Sequence, residues 1–237
     1  MAASVDFRSV SVEPILHDID LHIAAGEAVA FIGRSGAGKT TTLRLVNGLV
    51  KPTRGEVLVD DAPLSSTDLI ALRRRTGYII QGSGLFPHRT VYQNISTVPR
   101  LLGWADSQTR AAAETIMTKL DLPPAKFADR YPRSLSGGEQ QRVGIARAMI
   151  ANPSILLCDE PFGALDPIVR RDLQDAFVAL RSGVTIIFVT HDLAEAVRVA
   201  ERVVLFDAGR IAVDCPAAQF ASQPLPLVQR FVEAYDW

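Results

Sequence analysis

Short apolar runs alternate with longer segments of helical periodicity along this chain. Alternating apolar and polar residues predict a half-buried strand, and short, fully apolar runs predict buried strands. The predicted strands are Ile19–Ile23, Ala28–Ile32, Glu56–Asp60, Gly77–Ile80, Ile155–Asp159, Val184–Thr190 and Val203–Asp207. The predicted helices are Lys39–Asn47, Leu69–Arg75, Ser107–Leu120, Gly138–Ile150 and a helix that opens with Asp166-Pro167 and runs to about Arg181. This alternation is typical of an α/β protein with a mostly parallel sheet.

The middle of the chain has a different hydrophobic pattern. Between residues 91 and 150 the sequence carries helical patterns and no convincing strand, and strand character resumes at Ile155. Neither an internal repeat nor a low-complexity linker is evident. The simplest partition is one domain over 1–237, with an α/β core at about 1–81 and 153–237 and a helical subdomain at about 82–152.

The charge balance and the cysteines argue against several classes of protein. Lys plus Arg total 25 against 26 for Asp plus Glu, and this balance argues against nucleic acid as the main partner. The apolar runs fall short of the roughly 18 residues of a membrane span, and the first residues lack a signal-peptide pattern. Cys158 and Cys215 stand far apart, so neither a disulfide framework nor a zinc site is indicated. We expect a reducing, cytoplasmic location.

A glycine-rich segment after the predicted strand Ala28–Ile32 fits the P-loop pattern G-x-x-x-x-G-K-[ST]. The nucleotide-binding candidates are Gly33, Arg34, Ser35, Gly36, Ala37, Gly38, Lys39, Thr40 and the adjacent Thr41. Glycines let the backbone curl so that N–H groups point at phosphate oxygens, beside the positive end of a helix. We expect Lys39 to reach the β- and γ-phosphates and the Thr40 hydroxyl to ligate Mg²⁺. The strand–loop–helix context disfavours the alternative of a chance match in a glycine-rich turn.

Two acidic residues end the apolar strand that begins at Ile155. The carboxyl end of a buried strand is where α/β folds place ligand-binding groups. We expect Asp159 to hold Mg²⁺, directly or through water, and Glu160 to orient and deprotonate an attacking water. Alone, an Asp-Glu pair at a strand end is more often a solvated turn. Together with a P-loop it is the expected second part of an ATPase site.

Residues 135–142 support two interpretations. Ser136, followed three residues later by Glu139, forms the pattern of a capping box for the next helix. The glycines Gly137 and Gly138 also favour an anion site, because they leave backbone N–H groups open at the positive end of the helix dipole. Two phosphate-binding helix N-termini in one chain are expected if two copies of the chain bind a nucleotide between them, one from each side.

With these motifs the sequence resembles the nucleotide-binding subunit of an ATP-binding cassette (ABC) transporter over essentially its whole length. The family's motifs occur in order: Walker A at 33–40, the Q-loop residue Gln81, the signature at 135–139, Walker B at 154–160, the D-loop Ala164–Asp166 and the switch histidine His191. The resemblance implies the ABC ATPase fold, in which a P-loop NTPase core with a mostly parallel sheet carries a helical subdomain and a small antiparallel β portion.

The resemblance also implies how these residues act. Two subunits pair head to tail, and each ATP lies between Walker A of one copy and Ser136–Gly138 of the other. Gln81 meets Mg²⁺ or water and links the site to the helical subdomain, Asp166 crosses the dimer interface, and His191 contacts the γ-phosphate. The residues alone leave alternatives open, since Gln81 also suits a strand end and Asp192–Glu195 after the histidine is similar to a capping box.

The sequence departs from the family pattern at two places. Members usually carry an aromatic residue before the first core strand that stacks on adenine. Here the nearest upstream aromatic is Phe7, so we expect either weaker adenine stacking or an apolar side chain such as Val12 in its place. The signature ends in Glu139 where the family motif has Gln, which places a carboxylate near the phosphates unless capping turns it toward its own helix.

A further resemblance concerns the cellular role. Residues 77–104 are similar to importers of quaternary amines and related osmoprotectants, such as glycine betaine and choline. In importers the region of Gln81–His88 helps to form a groove for the membrane permease, and Leu85 and Phe86 either form its apolar floor or pack within the helical subdomain. The resemblance implies a cytoplasmic subunit, peripheral on the inner face of the membrane through the permease, and a separate substrate-binding protein. The alternatives are an importer of another small solute, such as an amino acid, and a non-transport ATP-binding module.

Overall fold

A computed structural model describes residues 1–163 and 165–234 of the chain. The strands are β1 Val5–Val12, β2 Leu16–Ile23, β3 Ala28–Gly33, β4 Arg54–Val59, β5 Ala62–Pro63, β6 Thr76–Ile79, β7 Ile155–Asp159, β8 Thr185–Val189, β9 Arg202–Asp207 and β10 Arg210–Pro216. The α-helices are α1 Lys39–Val46, α2 Leu69–Arg74, α3 Val91–Ile95, α4 Thr97–Leu101, α5 Asp106–Lys119, α6 Pro124–Phe127, α7 Gly137–Met149, α8 Pro167–Leu180, α9 Leu193–Val199 and α10 Pro226–Ala234. Short 3-10 turns lie at Leu64–Ser66, Pro132–Ser134 and Ala217–Ser222.

The strands and helices predicted from the pattern are confirmed, with small shifts at their ends. β2, for example, begins earlier than predicted, at Leu16. The pattern missed the strands β1, β5 and β10 and the helices α3, α4, α6 and α10, and it indicated α9 only through the capping pattern of Asp192–Glu195. Helices α3 and α6, of five and four residues, are too short to show a helical period, which explains why sequence reasoning missed them.

The described residues form two compact units, 1–72 with 183–234, and 73–163 with 165–182. The first unit contains a sheet in the order β2-β1-β4-β5, in which neighbouring strands are antiparallel. In the same unit β3 pairs in parallel with β8 on one side and β9 on the other, and β10 pairs antiparallel with β9. The small antiparallel portion and the parallel strands of the core both agree with the predicted fold class.

Strand β3 lies at the centre of the first unit's core. All six of its residues are buried, as expected for a parallel strand that is covered on both faces. The ring of Phe31 meets that of Phe206 edge-on, with centroids 5.0 Å apart. Ala30 and Ile32 belong to a buried cluster that also contains residues of α9 and β9 and Val228 of α10. This packing fixes the carboxyl end of β3, where the glycine-rich loop begins.

The second unit contains the parallel strands β6 and β7 and the helices α3 to α8. All five residues of β7 are buried. Between residues 82 and 152, all of which are described, the elements are helices and 3-10 turns, without a strand. We therefore retain the helical subdomain at 82–152 as a proposal, which this sequence of elements supports.

Strand pairing places the candidate residues at the carboxyl ends of parallel strands in each unit. In the first unit β3 runs parallel to β8, so the loop after Gly33 and the segment with His191 begin at the same edge of the sheet. In the second unit β6 runs parallel to β7, so Gln81 and Glu160 follow neighbouring strand ends. This is the edge at which α/β sheets bind ligands.

Candidate functional site

The loop between β3 and α1 requires glycine near both of its ends. Gly33 has a φ of 144°, and a Cβ there would lie 2.3 Å from the carbonyl oxygen of Phe206. Gly38, the N-cap of α1, has a φ of 101°, and a Cβ there would lie 2.3 Å from Leu16 Cδ2. The positive φ and the close approach together exclude a larger residue at either position. The loop therefore follows a tightly curled path that only this glycine spacing permits.

Lys39 begins α1 with its ammonium turned back into the loop. The residue is buried, and its Nζ donates hydrogen bonds to the carbonyl oxygens of Gly33 at 2.7 Å and Arg34 at 2.9 Å. Gly38 offers no side chain to the first-turn N–H groups of α1. A buried cation beside a helix start without a side-chain cap favours anions, and curled backbone N–H groups suit phosphate in particular.

His191 follows β8 and is held between two anchored neighbours. Thr190 N donates to the carbonyl oxygen of Phe31 at 3.1 Å, and the Thr190 hydroxyl donates to the buried carboxylate of Glu195. Asp192 caps α9 by accepting from Glu195 N at 3.1 Å, while its own N–H donates to Thr190 Oγ1 at 3.0 Å. Glu195 thus binds Thr190 instead of closing a capping box with Asp192. The imidazole of His191 is exposed at this fixed strand end.

A cavity of about 550 Å³ lies beside the glycine-rich loop, and we call it the loop cavity. Its lining residues are Gly33, Arg34, Ser35, His191, Leu227, Arg230 and Phe231. Strand pairing explains why His191 reaches the same cavity as the loop, because β3 and β8 are parallel neighbours. Sequence reasoning missed the contribution of α10, which supplies Leu227, Arg230 and Phe231.

In the second unit, a hydrogen bond joins the side chains of Gln81 and Glu160. Gln81 Nε2 donates to Glu160 Oε2 at 3.2 Å. Asp159, the last residue of β7, is buried, and Glu160 directly after it takes a left-handed φ of 47°. Positive φ at a non-glycine residue is uncommon and clusters at functional sites. The amide of Gln81, two residues after β6, thus contacts the carboxylate that follows β7.

Ser136 and Glu139 form the predicted capping box at the start of α7. Ser136 Oγ accepts from Glu139 N at 3.2 Å, and Glu139 Oε2 accepts from Ser136 N at 2.7 Å. The Glu139 carboxylate therefore turns toward its own helix. Gly137 has open space where a Cβ would stand, whereas a Cβ on Gly138 would lie 2.7 Å from Val169 Cγ1. Glycine at the second of these positions thus permits close packing against α8.

The starts of α7 and α8 share a second cavity, of about 320 Å³. Its lining residues are Ser136, Gly137, Gly138, Glu139, Arg142, Leu165, Asp166 and Val169. Asp166 is the N-cap of α8, as predicted, because its Oδ1 accepts from Val169 N at 3.1 Å and Pro167 follows as the first helical residue. Ala164, the first residue assigned to the D-loop, lies outside the described residues.

The turn between β1 and β2 supplies an exposed apolar side chain next to the glycine-rich loop. Phe7 and Val12 are both buried, so neither offers a face to a base. Ile15 is 42% exposed. Its carbonyl oxygen lies 3.6 Å from the position that a Cβ on Gly38 would take. Ile15, rather than the expected Val12, is therefore an exposed apolar side chain on the turn that approaches the loop.

The types of donor present suit Mg²⁺. Among residues 1–163 and 165–234, no group of three or more His, Cys, Asp or Glu side chains is arranged to hold a metal ion. Mg²⁺ is usually bound by one or two protein oxygens and completes its shell with water and substrate phosphates. The Thr40 hydroxyl and the buried Asp159 carboxylate each offer oxygen donors of the type that Mg²⁺ accepts.

Comparison with known proteins gives close relatives. The family model described as "ABC transporter" matches residues 16–163. The choline transport ATP-binding protein OpuBA of Bacillus subtilis is 48% identical over 198 residues, which cover 83% of this chain and 52% of that protein. The glycine betaine uptake system ATP-binding protein YehX of Escherichia coli is 44% identical over 213 residues, which cover 87% of this chain and 69% of that protein. The chain thus spans about half the length of several curated relatives that it matches.

A solved structure gives the same result for the fold. The chain is similar to the dimeric structure of a post-hydrolysis state of the ATP-binding cassette MJ0796 bound to ADP and Pi. The TM-score is 0.80 at 32% identity, and the match covers 90% of this chain and 98% of that one. The predicted fold is therefore confirmed.

Proposed function

The chain belongs to the ABC transporter family, and on that premise we propose that it binds and hydrolyses ATP as the nucleotide-binding subunit of an importer. The observation that carries this proposal is the loop between β3 and α1, where Gly33 and Gly38 with positive φ frame the buried ammonium of Lys39. Such a loop presents backbone N–H groups and a cation to successive phosphates.

In the first unit, the proposed phosphate-binding residues are Gly33, Arg34, Ser35, Gly36, Ala37, Gly38, Lys39, Thr40 and Thr41. Lys39 neutralises charge on the β- and γ-phosphates, and the Thr40 hydroxyl ligates Mg²⁺. His191 contacts the γ-phosphate, a role that its place on the loop cavity supports. Ile15 supplies an apolar surface for adenine, which its exposure beside Gly38 supports.

In the second unit, Glu160 is the proposed general base and Gln81 its positioning partner. The hydrogen bond from Gln81 orients the Glu160 carboxylate, and this carboxylate takes a proton from the water that attacks the γ-phosphate. General-base catalysis contributes about 10²–10⁴ in rate. Asp159 is the proposed carboxylate ligand of Mg²⁺, and Gln81 meets the ion or its water. Bound Mg²⁺ supplies charge neutralisation for the phosphate oxygens.

We propose that hydrolysis requires two copies of the chain, arranged head to tail. Ser136, Gly137 and Gly138 of one copy bind the γ-phosphate held by the other, and Asp166 contacts the partner. The cavity at the starts of α7 and α8 supports this role, because Gly137 has no side chain that would shield its backbone N–H. The similar cassette MJ0796 is dimeric in its solved structures, which supports the same arrangement.

We further propose that a membrane permease docks near Gln81–His88. Phe86 is 38% exposed and lines a cavity of about 280 Å³. Arg147 lies over the Phe86 ring and donates to the carbonyl oxygens of Gly84 at 2.8 Å and Ser83 at 3.2 Å. Burial lowers the pKa of Arg147, although a guanidinium remains charged in proteins. The exposed ring of Phe86 is thus held by the guanidinium groups of Arg89 and Arg147, and we propose it as one apolar contact for a short helix of the permease.

The proposed cargo is a quaternary amine or a related osmoprotectant, which a separate substrate-binding protein delivers to the permease. Relatives named for choline and glycine betaine support this cargo. In the described part of the chain, no helix has the length and apolarity needed to cross a membrane; we propose a cytoplasmic position on the inner membrane face through the permease. The test is to capture the permease and then to measure uptake of choline, glycine betaine and amino acids. Uptake of choline or glycine betaine would support this cargo, and uptake of amino acids alone would support the alternative, an importer of another small solute. An active ATPase that captures no permease would favour a non-transport module.

The substitution Glu160→Gln tests the proposed reaction. The parent protein is expected to release phosphate from Mg-ATP, and the variant to lose at least about 100-fold in rate because the base is gone. ATP binding and ATP-driven dimerisation should persist, since the phosphate-binding groups are unchanged. Phosphate release and sedimentation measure the two properties. Glu114→Gln, which alters an exposed carboxylate on α5, is the matched control. A Glu160→Gln protein that turned over at the parent rate would refute the assigned base.

A further inference from the structure

Helix α10 carries a cation to the edge of the glycine-rich loop. Val228 is fully buried in the core cluster that includes Ile32 of β3, and it anchors α10 to the first unit. Successive residues of an α-helix are about 100° apart around its axis. Leu227, Arg230 and Phe231 therefore share one flank of α10, next to the buried Val228.

That flank lines the loop cavity, together with the loop residues and His191. Leu227 and Phe231 pack partly buried against the same core cluster, so the rotation of α10 about its axis is fixed. Arg230, at the edge of this flank that lies farthest from Val228, is exposed. Within the part of the chain that the structure describes, its guanidinium makes no hydrogen bond or ion pair. The guanidinium of Arg230 thus lies at the cavity and makes none of the hydrogen bonds or ion pairs that hold the described residues together.

We propose that Arg230 is a further phosphate-binding residue, which donates to a phosphate oxygen at the loop cavity. This inference rests on the proposed function, in which Lys39 and the loop bind the triphosphate. Arg34 and His191 line the same cavity, so an anion there meets positive or ionisable groups from the loop, β8 and α10. The planar guanidinium pairs two N–H groups with two oxygens of a phosphate. The oxygens belong either to the terminal phosphate of the nucleotide or to inorganic phosphate after hydrolysis.

The test compares Arg230→Gln and Arg230→Lys with the parent. ATP and ADP affinities are titrated in the Glu160→Gln background, and inhibition of the ATPase by inorganic phosphate is measured with Glu160 intact. Loss of a hydrogen bond between charged groups weakens binding about 10- to 100-fold. If the contact is to bound nucleotide, Arg230→Gln lowers ATP affinity by this factor and leaves ADP affinity unchanged. If the contact is to free phosphate, ATP affinity is kept and the phosphate inhibition constant rises by the same factor.

Two matched variants on α10 serve as controls. Arg230→Lys keeps the charge and is expected to restore part of the lost affinity, while Glu233→Gln changes the charge of an exposed residue on the same helix and is expected to match the parent. Parent values throughout for Arg230→Gln would overturn the inference. So would equal losses for ATP and ADP, which indicate a damaged loop.

The inference would also be overturned if Arg230→Gln bound both nucleotides normally but no longer dimerised with ATP, because the arginine would then pair with the second copy. A parent protein that bound no nucleotide would overturn the proposed function and this inference together. Normal binding by the parent with an unaltered Arg230→Gln variant overturns this inference alone. The two failures are thereby distinguished.

Discussion

Substitution of Ser136 separates its two proposed roles, helix cap and phosphate ligand. Its Oγ accepts from Glu139 N at 3.2 Å at the start of α7. Ser136→Ala removes this cap, which costs about 1 kcal/mol and lowers the Tm by about 2–4 °C for a chain of this size. Asn and Asp cap helices as well as Ser does. Ser136→Asn and Ser136→Asp are therefore expected to unfold near the parent temperature, and they differ from each other by one charge.

That charge matters when the triphosphate held by a second copy approaches Ser136. Two like unit charges about 4 Å apart repel by about 4 kcal/mol at an effective dielectric constant of about 20. This energy corresponds to roughly a thousandfold in the constant for ATP-driven dimerisation. Ser136→Asp should therefore remain monomeric at ATP concentrations that dimerise Ser136→Asn. Ser136→Ala, which loses only a hydroxyl, should fall between Ser136→Asp and the parent.

Sedimentation with Mg-ATP in the Glu160→Gln background measures dimerisation, and thermal unfolding without nucleotide measures the cap. Equal dimerisation of the Asn and Asp variants, at unchanged Tm, would refute the phosphate role and leave Ser136 as a cap alone. A low Tm for Ser136→Asp would instead indicate repulsion from the Glu139 carboxylate of the capping box. In that case the phosphate role of Ser136 is judged from ATP-driven dimerisation of Ser136→Asn compared with that of Ser136→Ala.

Two further substitutions test the loop and the first unit's stability. Lys39→Ala removes the buried ammonium of the loop. In a nucleotide titration this variant is expected to bind ATP at least about 10-fold more weakly than the parent. The control Lys119→Ala changes an exposed residue of α5 and should bind ATP as the parent does. Arg202, 24% exposed, pairs with Asp214 at 2.5 Å and Glu27 at 3.2 Å, and these carboxylates, Asp214 most, raise its pKa. Arg202→Met should cost about 2 kcal/mol, or about 4–8 °C in Tm, because two carboxylates lose their partner. Arg210→Met, which breaks an exposed pair with Asp18 and a long hydrogen bond to the carbonyl oxygen of His17, should leave the Tm nearly unchanged.

Sequence reasoning succeeds where a local segment determines its own geometry. Strands β3, β7 and β8 are buried at every position, and such continuous apolar runs are visible in the sequence. The glycine-rich loop is equally local, since the positive φ of Gly33 and Gly38 requires glycine at those spacings. The capping residues of α7 and α8 were predictable for the same reason, because the bonds they make lie within three residues.

Ile15 and Arg230 were not predictable, because their significance depends on contacts between distant segments. Nothing in the local pattern distinguishes Ile15 from Val12, and only the approach of its turn to Gly38 sets it apart. The apolar residues of α10 have helical spacing, so the helix itself was within reach of sequence reasoning. Which flank of α10 meets the glycine-rich loop is decided by the packing of Val228 into the core, and that packing has no local signature.

Three helices begin with a side chain that accepts a hydrogen bond from the N–H three residues ahead, and these capping residues are Ser136, Asp166 and Asp192. Of the three, we assign phosphate binding to Ser136. A serine hydroxyl is neutral, whereas an aspartate carboxylate would repel a phosphate at the same place. The next residue differs as well, because Gly137 has no side chain to shield its N–H, while Pro167 has no N–H. A capping signal thus predicts where a helix begins, and the charge of the cap and the residue after it determine whether an anion can use that start.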